Sequence, residues 1–170
     1  MEPTSSTLPF KISTLVFIED SQGKHLLIKR NKKPNLGLWS PIGGKLEMSI
    51  GESPHQCAVR EVEEEIQWKL EINDLHLFGM ITERAYQGEQ HWLMFLFHCL
   101  RPLNRHPQAI DEGSFDFFST QELSSLEIPA TDRKTLWQLY HQHRQGFVAG
   151  HIDCTSPEEL KVSIEEIMGS

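Results

Sequence analysis

Four glutamates stand close together in a run of helix-forming residues, at positions 61, 63, 64 and 65. Like charges one turn apart on a helix repel each other, so this cluster either faces water or binds a cation. At 3.6 residues per turn, Glu61, Glu64 and Glu65 fall within an arc of roughly 100°, whereas Glu63 points elsewhere. Carboxylate oxygens are ligands for hard divalent cations such as Mg²⁺. From helix geometry alone, a solvated helix surface with Arg60 paired to Glu64 at i+4 is a slightly better explanation than a metal site.

The helix that carries these glutamates has clear start signals. Ser53 offers an N-cap and Pro54 occupies the first helical position, so the helix is predicted to run from Pro54 to about Trp68. The arc next to the three clustered carboxylates is apolar and consists of Ala58, Val62 and Ile66. The carboxylates therefore lie at the margin of the face that packs on the core.

The residues around the cluster resemble the Nudix box, whose usual form is G-x5-E-x7-R-E-U-x-E-E-x-G-U, with U a bulky aliphatic residue. Gly44 opens the box, Glu52 is its first glutamate, and residues 60–65 match R-E-U-x-E-E at every position. Two departures occur: seven residues instead of five separate Gly44 from Glu52, and Gln67 replaces the usual glycine. On this resemblance the chain is identified as a member of the Nudix hydrolase family.

The resemblance implies a role for each matching residue. Glu64 and Glu65 would be metal ligands, and Glu61 would be a ligand or the general base. Glu52 would assist the metal site, and Arg60 would orient the glutamates through a salt bridge. The implied cofactor is Mg²⁺, with Mn²⁺ as a substitute. Bound Mg²⁺ neutralises a diphosphate, and a carboxylate one turn away can accept a proton from water.

Some family members contribute a further glutamate from a loop before a late strand. Glu112 is the best match for this ligand, and Glu83 on the preceding strand is its rival. Two structural explanations stay open: Asp111 and Glu112 can form a polar turn, and Glu83 can pair with Arg84.

The candidate substrate-binding residues are two glycines of the box, one basic residue before it and two aromatic residues: Gly43, Gly44, Arg30, Trp39 and Tyr86. The basic residue would meet phosphates, although an exposed basic loop explains it equally well. The aromatic residues would stack on a nucleobase, yet aromatic residues in strands more often belong to the core. A core position is the favoured interpretation for Trp92.

The composition limits the classes of partner. The 170 residues include 16 Lys+Arg and 24 Asp+Glu, a net charge of −8, which argues against a nucleic-acid partner. Three cysteines without metal-ligand spacing fit reduced thiols in the cytoplasm. The N-terminus has no hydrophobic segment of signal-peptide length, and the longest apolar run, 92–97, is too short to cross a bilayer. We therefore expect a cytoplasmic protein with no membrane contact.

The predicted fold is α/β: the Nudix fold, a mixed β-sheet sandwiched between α-helices (α/β/α). A single domain spans residues 1–170, with a flexible lead at 1–9 and a C-terminal extension at 147–170. Strands are predicted at 12–18, 25–29, 75–85, 91–100 and 115–118, with an extended piece at 39–42. The first two would form a hairpin through the turn at 21–24. A second helix is predicted at 131–144, and an acidic amphipathic helix from Ser156.

The resemblance to Nudix hydrolases implies a Mg²⁺-dependent pyrophosphohydrolase that cleaves the diphosphate of a nucleoside diphosphate linked to another moiety. The expected substrate is a nucleoside diphosphate sugar. One alternative is a nucleoside triphosphate pyrophosphohydrolase that removes oxidised nucleotides. Another is a catalytically silent domain that senses a nucleotide, although this chain keeps every glutamate of the box. A homodimer is also expected, as in many Nudix hydrolases.

Overall fold

The computed structural model describes residues 7–169, so residues 1–6 of the predicted flexible lead lie outside the described part. The strands are β1 (Phe10–Phe17), β2 (His25–Arg30), β3 (Trp39–Ser40), β4 (Ile42–Lys45), β5 (Leu75–Tyr86), β6 (Gln90–Cys99), β7 (Gly113–Phe118), β8 (Phe147–Asp153) and β9 (Lys161–Met168). The α-helices are α1 (Pro54–Ile66), α2 (Thr120–Leu123) and α3 (Trp137–His143). A π-helical segment, Asp132–Leu136, leads directly into α3.

The strands form a large mixed sheet and a small antiparallel one. The large sheet has six strands in the order β4-β1-β6-β5-β8-β9, and the small sheet has the order β3-β2-β7. Within the large sheet, β1 runs parallel to β6 and β5 runs parallel to β8, whereas the other pairs are antiparallel. The strands predicted at 75–85 and 91–100 correspond to β5 and β6, which pair antiparallel.

Helices cover both faces of the large sheet. Neighbouring side chains of a strand point to opposite faces, and β1 shows the consequence. Val16 packs in the apolar cluster that contains Val62 of α1, whereas Phe17 packs in the cluster that contains Tyr140 of α3. The predicted arrangement of a mixed sheet between α-helices is thereby confirmed.

The predicted hairpin of the first two strands is wrong, because β1 and β2 lie in different sheets. A single bridge between Glu19 and His25 joins the two segments, and β2 pairs instead with β3 and β7. The extended piece at 39–42 also divides between the two sheets, on either side of Pro41. Proline has no N–H group for a strand ladder, so the chain changes sheets there.

The predicted C-terminal helix is also wrong. Residues 161–168 form β9, which pairs antiparallel with β8. Lys161 lies opposite Asp153 at one end of the pairing, and Met168 lies opposite Phe147 at the other. An open edge of β8 and the β-branched residues Val162, Ile164 and Ile167 favour a strand over a helix here. Within residues 7–169, no helix is long and apolar enough to cross a membrane.

Helix α1 has a well-formed start and a strained end. The Ser53 hydroxyl accepts a hydrogen bond from the backbone N–H of Gln56 at 3.1 Å, and the Gln56 side chain accepts one from the Ser53 N–H at 2.9 Å. This capping box satisfies two backbone donors at the helix start. The helix ends at Ile66 because Gln67 adopts a left-handed conformation, with φ 50° and ψ 41°. The predicted end at Trp68 is therefore about one half-turn too late.

The left-handed conformation of Gln67 is less favourable than the same conformation of a glycine by roughly 1 kcal/mol. We expect Gln67→Gly to raise the free energy of unfolding by about that amount relative to Gln67→Ala, measured by urea denaturation. The alanine variant is the matched control because both variants lose the hydrogen bond from the Gln67 side chain to the Glu64 carbonyl. Equal stability of the two variants would show that this residue does not hold the left-handed conformation in solution.

Candidate active site

Arg60 is the centre of the site and joins the box loop to helix α1. Its Nε and Nη2 atoms donate to the two carboxylate oxygens of Glu52, at 2.6 and 2.9 Å. Its Nη1 atom donates to Glu61 at 2.9 Å and to Glu64 at 3.3 Å, and Nη2 also donates to the Lys45 carbonyl at 3.1 Å. A two-pronged guanidinium–carboxylate contact fixes orientation as well as distance.

The two additional residues of the box loop do not displace Glu52 from Arg60. The loop makes a 3₁₀ turn at Met48–Ile50, followed by Gly51 in a left-handed conformation with φ 62°. The Glu52 carboxylate, which is 9% exposed, also accepts a hydrogen bond from the backbone N–H of Glu47 at 2.7 Å. Hydrogen bonding from Arg60 above all lowers the pKa of Glu52 to about 2, so this carboxylate is ionised at neutral pH.

The backbone of Gly44 lies directly against the carboxylate of Glu61. A methyl group added at Gly44 would stand 2.2 Å from Oε1 of Glu61, and one added at Gly43 would stand 2.1 Å from the Thr14 carbonyl oxygen. Both positions therefore require glycine, and β4 brings the paired glycines beside the glutamates of α1. Burial raises the pKa of Glu61, although the neighbouring Arg60 opposes that shift.

Glu65 is a half-buried residue in acidic surroundings, and the Oε2 atom of its carboxylate is buried. Burial above all, followed by the charge of Glu61, raises the pKa of Glu65 to about 8; Glu112 and Glu64 add to the rise and Arg30 opposes it. The charge of Glu112 therefore acts on the glutamates of α1. Residues 110–113 form the tight turn that the sequence left as an alternative, with hydrogen bonds in both directions between Ile110 and Gly113.

The carboxylates are crowded but not arranged as a finished metal site. Within the described chain, no three His, Cys, Asp or Glu side chains already surround a common point that would hold a cation. Even so, Oε2 of Glu65 is buried with no hydrogen-bond partner among residues 7–169. A buried carboxylate oxygen without a partner, repelled by carboxylates nearby, fits a hard cation that keeps some of its waters. Glu61, Glu64 and Glu65 are the residues that would hold it.

A cavity of about 150 Å³ is lined by Gly43 and Gly44, and Gly44 in turn lies against Glu61. Glu61, Glu64 and Glu65 are not themselves among the lining residues. Of the predicted substrate-binding residues, Gly43, Gly44, Arg30 and Tyr86 line it. Trp39 is outside this lining, and its ring packs edge-on against Phe118 at 4.8 Å. Trp92 also lines the cavity although it is only 8% exposed, so it belongs both to the core and to the cavity wall.

The sequence did not reveal Lys45 or Asp132 as cavity residues, and it singled out Glu83 only as a rival metal ligand. Lys45 lies beside Gly44 and adds a second cationic side chain to Arg30. Glu83 and Asp132 form a buried acidic pair on another part of the wall. The pairing of Glu83 with Arg84 that the sequence left open does not occur, since Arg84 forms an ion pair with Asp153 at 3.7 Å. No local pattern marks Asp132, which stands 49 residues after Glu83 in the chain.

The comparisons with known proteins agree with this geometry. The family profile described as NUDIX domain matches residues 9–142. The NAD-capped RNA hydrolase NudC of Pseudomonas aeruginosa is 28% identical over 142 residues, covering 80% of this chain and 46% of that protein. The chain thus spans about half the length of the curated relatives it matches.

Solved structures share the fold. The mutator MutT protein from Bacillus halodurans has a TM-score of 0.71 and 23% identity, covering 91% of this chain and 97% of that one. The NUDIX domain of Shewanella oneidensis NrtR, solved with ADP ribose, has a TM-score of 0.64 and 16% identity, covering 81% of this chain and 88% of that one. At these sequence identities, the structural similarity shows a shared fold and nothing more specific.

The raised pKa of Glu65 predicts a pH-dependent stability. Between the ordinary value of 4.5 and about 8, the folded protein holds a proton that the unfolded chain releases. Stability must therefore fall as the pH rises through this window. In EDTA, we expect Glu65→Gln to lose less stability than the parent protein between about pH 5 and pH 9 in denaturation experiments. The control is Glu63→Gln, which changes an exposed glutamate of the same helix. A parent-like pH profile for Glu65→Gln would contradict the burial of this charge.

Proposed function

Because the chain belongs to the Nudix family, we propose that it hydrolyses the phosphoric anhydride bond of a nucleoside diphosphate linked to another moiety, with Mg²⁺ as cofactor and Mn²⁺ as substitute. The observation that carries the proposal is the cluster of Glu61, Glu64 and Glu65, ordered by Arg60 beside the Gly43–Gly44 backbone. The cluster lies at the margin of a cavity lined by two cationic side chains, Arg30 and Lys45. These groups would oppose the negative charge of a diphosphate in a chain whose net charge is −8.

The reaction would be an attack of water on phosphorus. A new P–O bond forms to the water oxygen, the anhydride P–O bond breaks, and the leaving phosphate departs with its bridging oxygen. When bound, the divalent ion supplies charge neutralisation and makes water more acidic. Glu61 is the proposed acceptor of the water proton, and it also stays a proposed metal ligand. Its side chain is 14% exposed and lies against Gly44. Arg60 and Glu52 hold Glu61 in orientation, and Glu112 would add charge near Glu65.

A nucleoside diphosphate sugar is the proposed substrate. The NrtR domain, which shares the fold, is described in complex with ADP ribose, a ribose attached to a nucleoside diphosphate. The curated relative NudC is described as a hydrolase of NAD-capped RNA, and NAD also contains a dinucleoside diphosphate linkage. Both names support a substrate with a diphosphate between two organic groups. Cleavage of oxidised nucleoside triphosphates is the second candidate.

A catalytically silent sensing domain is the candidate of another class. Such a domain would be expected to lack part of the glutamate set, whereas Glu52, Glu61, Glu64 and Glu65 are all present with Arg60 at their centre. The arrangement therefore favours the hydrolase. The absence of a nucleic-acid partner and cytoplasmic residence stay predictions from charge and cysteine content.

The homodimer also stays a prediction, and we propose β9 as the surface through which it forms. This strand is the last in the large sheet, and its apolar side chains Val162, Ile164, Ile167 and Met168 are between 45% and 54% exposed. An open strand edge with apolar side chains is a common surface for pairing with a second chain. Native mass spectrometry of mixed isotope-labelled copies would detect hybrid dimers, and double substitution of Val162 and Ile164 by lysine should abolish them.

The catalytic proposal predicts metal-dependent turnover that depends on Glu64. We expect products by ³¹P NMR from at least one nucleoside diphosphate sugar in the presence of Mg²⁺, and no turnover in excess EDTA. Glu64→Gln should lower turnover by at least about 100-fold, because it removes a charged metal ligand. Glu63→Gln should stay close to the parent rate, since it changes the exposed glutamate next along the helix.

The substrate panel should include ADP-ribose, NAD, NAD-capped RNA, and ordinary and oxidised nucleoside triphosphates. A preference for the triphosphates would replace the proposed substrate class by the second candidate. Absence of turnover on every member, with either Mg²⁺ or Mn²⁺, would favour the sensing domain. Equal turnover by Glu64→Gln and the parent would reject this cluster as the active site.

A further inference from the structure

A second group of carboxylates lines the cavity without belonging to the glutamates of α1. Glu83 lies on β5 and is 4% exposed, and Asp132 opens the π-helical segment before α3 and is 8% exposed. The sheet register places Glu83 opposite Trp92 on β6 and opposite Ile152 on β8. Both carboxylates line the same cavity as Gly43 and Gly44.

The fold leaves one oxygen of this acidic pair without a hydrogen-bond partner in the described part of the chain. Within residues 7–169, Oε2 of Glu83 is buried and has no hydrogen-bond partner. Burial, and then the charge of Asp132, raises the pKa of Glu83 to about 8, against the effect of a side-chain hydrogen bond from Thr131. Burial likewise raises the pKa of Asp132 to about 7. A buried carboxyl oxygen without a partner lowers stability, so its presence at a cavity wall indicates a ligand.

The cavity has chemically different walls. Arg30 and Lys45 line it together with the paired glycines, where the diphosphate would lie, and the acidic pair also belongs to the lining. The aromatic rings of Trp92 and Tyr86 also border the space. The Tyr86 hydroxyl donates to Oδ1 of Asn35 at 2.8 Å, which fixes that ring. A cavity of about 150 Å³ is large enough for a single small ring, since cavities of about that size bind benzene.

These features favour a flat, hydrogen-bond-donating group over a sugar. Carboxyl oxygens accept hydrogen bonds from N–H groups, and aromatic side chains border planar rings well. Above about pH 8 both carboxyls are ionised and only accept hydrogen bonds. A nucleobase with an exocyclic amino group then offers N–H donors, whereas a carbonyl at the same place would face these oxygens with its lone pairs. A buried acceptor that loses its donor is penalised, so a site of this kind discriminates between such bases.

We propose that Glu83 and Asp132 bind the exocyclic amino group of the substrate's nucleobase, and so select amino-bearing bases over their carbonyl-bearing or unsubstituted counterparts. This inference rests on the proposed function, because it assumes that a nucleotide enters the cavity. It assigns Glu83 to base recognition. The sequence had offered Glu83 as an alternative to Glu112 for a metal ligand, and this proposal does not give it that role.

The test is a binding measurement that does not depend on turnover. Isothermal titration with Ca²⁺ at about pH 9, where both carboxyls are ionised, would compare guanosine with inosine diphosphate, adenosine with inosine diphosphate, and cytidine with uridine diphosphate. The first pair differs by one amino group alone. We expect the amino-bearing member of at least one pair to bind roughly 10- to 100-fold more tightly, as for hydrogen bonds to charged groups. Equal binding within each pair, or no binding of any nucleotide, would overturn the proposal.

Variants of the same shape separate recognition from folding. In Glu83→Gln and Asp132→Asn, the preference should shrink to within about threefold, while the affinity for the member without the amino group stays within about threefold of the parent value. Glu122→Gln is the control because Glu122 is an exposed carboxylate on α2. It should retain the full preference. Persistence of the preference in both amide variants would contradict the assignment.

Two further comparisons separate the remaining explanations. Sugar hydroxyls also donate hydrogen bonds, so glucose 1-phosphate is titrated as well. A loss of its affinity in Glu83→Gln would place the sugar at the acidic pair and overturn base recognition. Nucleotide preference without hydrolysis of any substrate would reject the proposed reaction but retain this binding site. Hydrolysis with no base preference would reject the binding site alone.

Discussion

The arrangement of the site depends on one guanidinium group. Arg60 contacts Glu52, Glu61, Glu64 and the Lys45 carbonyl, so it joins the loop, the end of β4 and helix α1 in one hydrogen-bonded group. Its planar, permanently charged head can satisfy several acceptors at once, which a lysine ammonium does less well. The glutamates of α1 repel one another, and this contact offsets part of the repulsion. The box loop tolerates two more residues than the family form because Glu52 still reaches Arg60.

Buried carboxylates occur at two places around the cavity, and their chemical surroundings differ. Glu65 lies among other glutamates of the box and near Arg30, so its burial fits the binding of a cation. Glu83 and Asp132 have Thr131 near them, and aromatic residues complete that part of the cavity lining. Charge that costs stability in both places is consistent with selection for ligand binding. On the proposed function, the phosphate-bearing group would lie beside the box glutamates and the nucleobase would lie at the acidic pair.

Sequence reasoning succeeded where the signal was local and failed where partners came from elsewhere. The N-cap at Ser53 and the apolar periodicity of α1 fixed the start and the buried face of that helix, and the structure has both. The hairpin of β1 and β2 was predicted from a turn signal between two apolar strands. Strand partners, however, are chosen by complementary sheet edges and buried faces, and β2 found these in β3 and β7. The tail after Ser156 has a pattern that suits a helix, yet the free edge of β8 made a strand more favourable.

The spacing of the box residues is determined by sequence alone, because helix geometry places Glu61, Glu64 and Glu65 on neighbouring positions whatever surrounds them. The need for glycine beside Glu61 is visible in the motif, but only the folded chain shows that β4 brings Gly44 against that carboxylate. The acidic pair was hidden for the same reason. Glu83 and Asp132 are 49 residues apart, and only the packing of the helix that follows Thr131 against the sheet brings them to one cavity. Local spacing determined which residues can do chemistry, and long-range packing decided which of them meet, because sequence-distant contacts are set by the whole buried core.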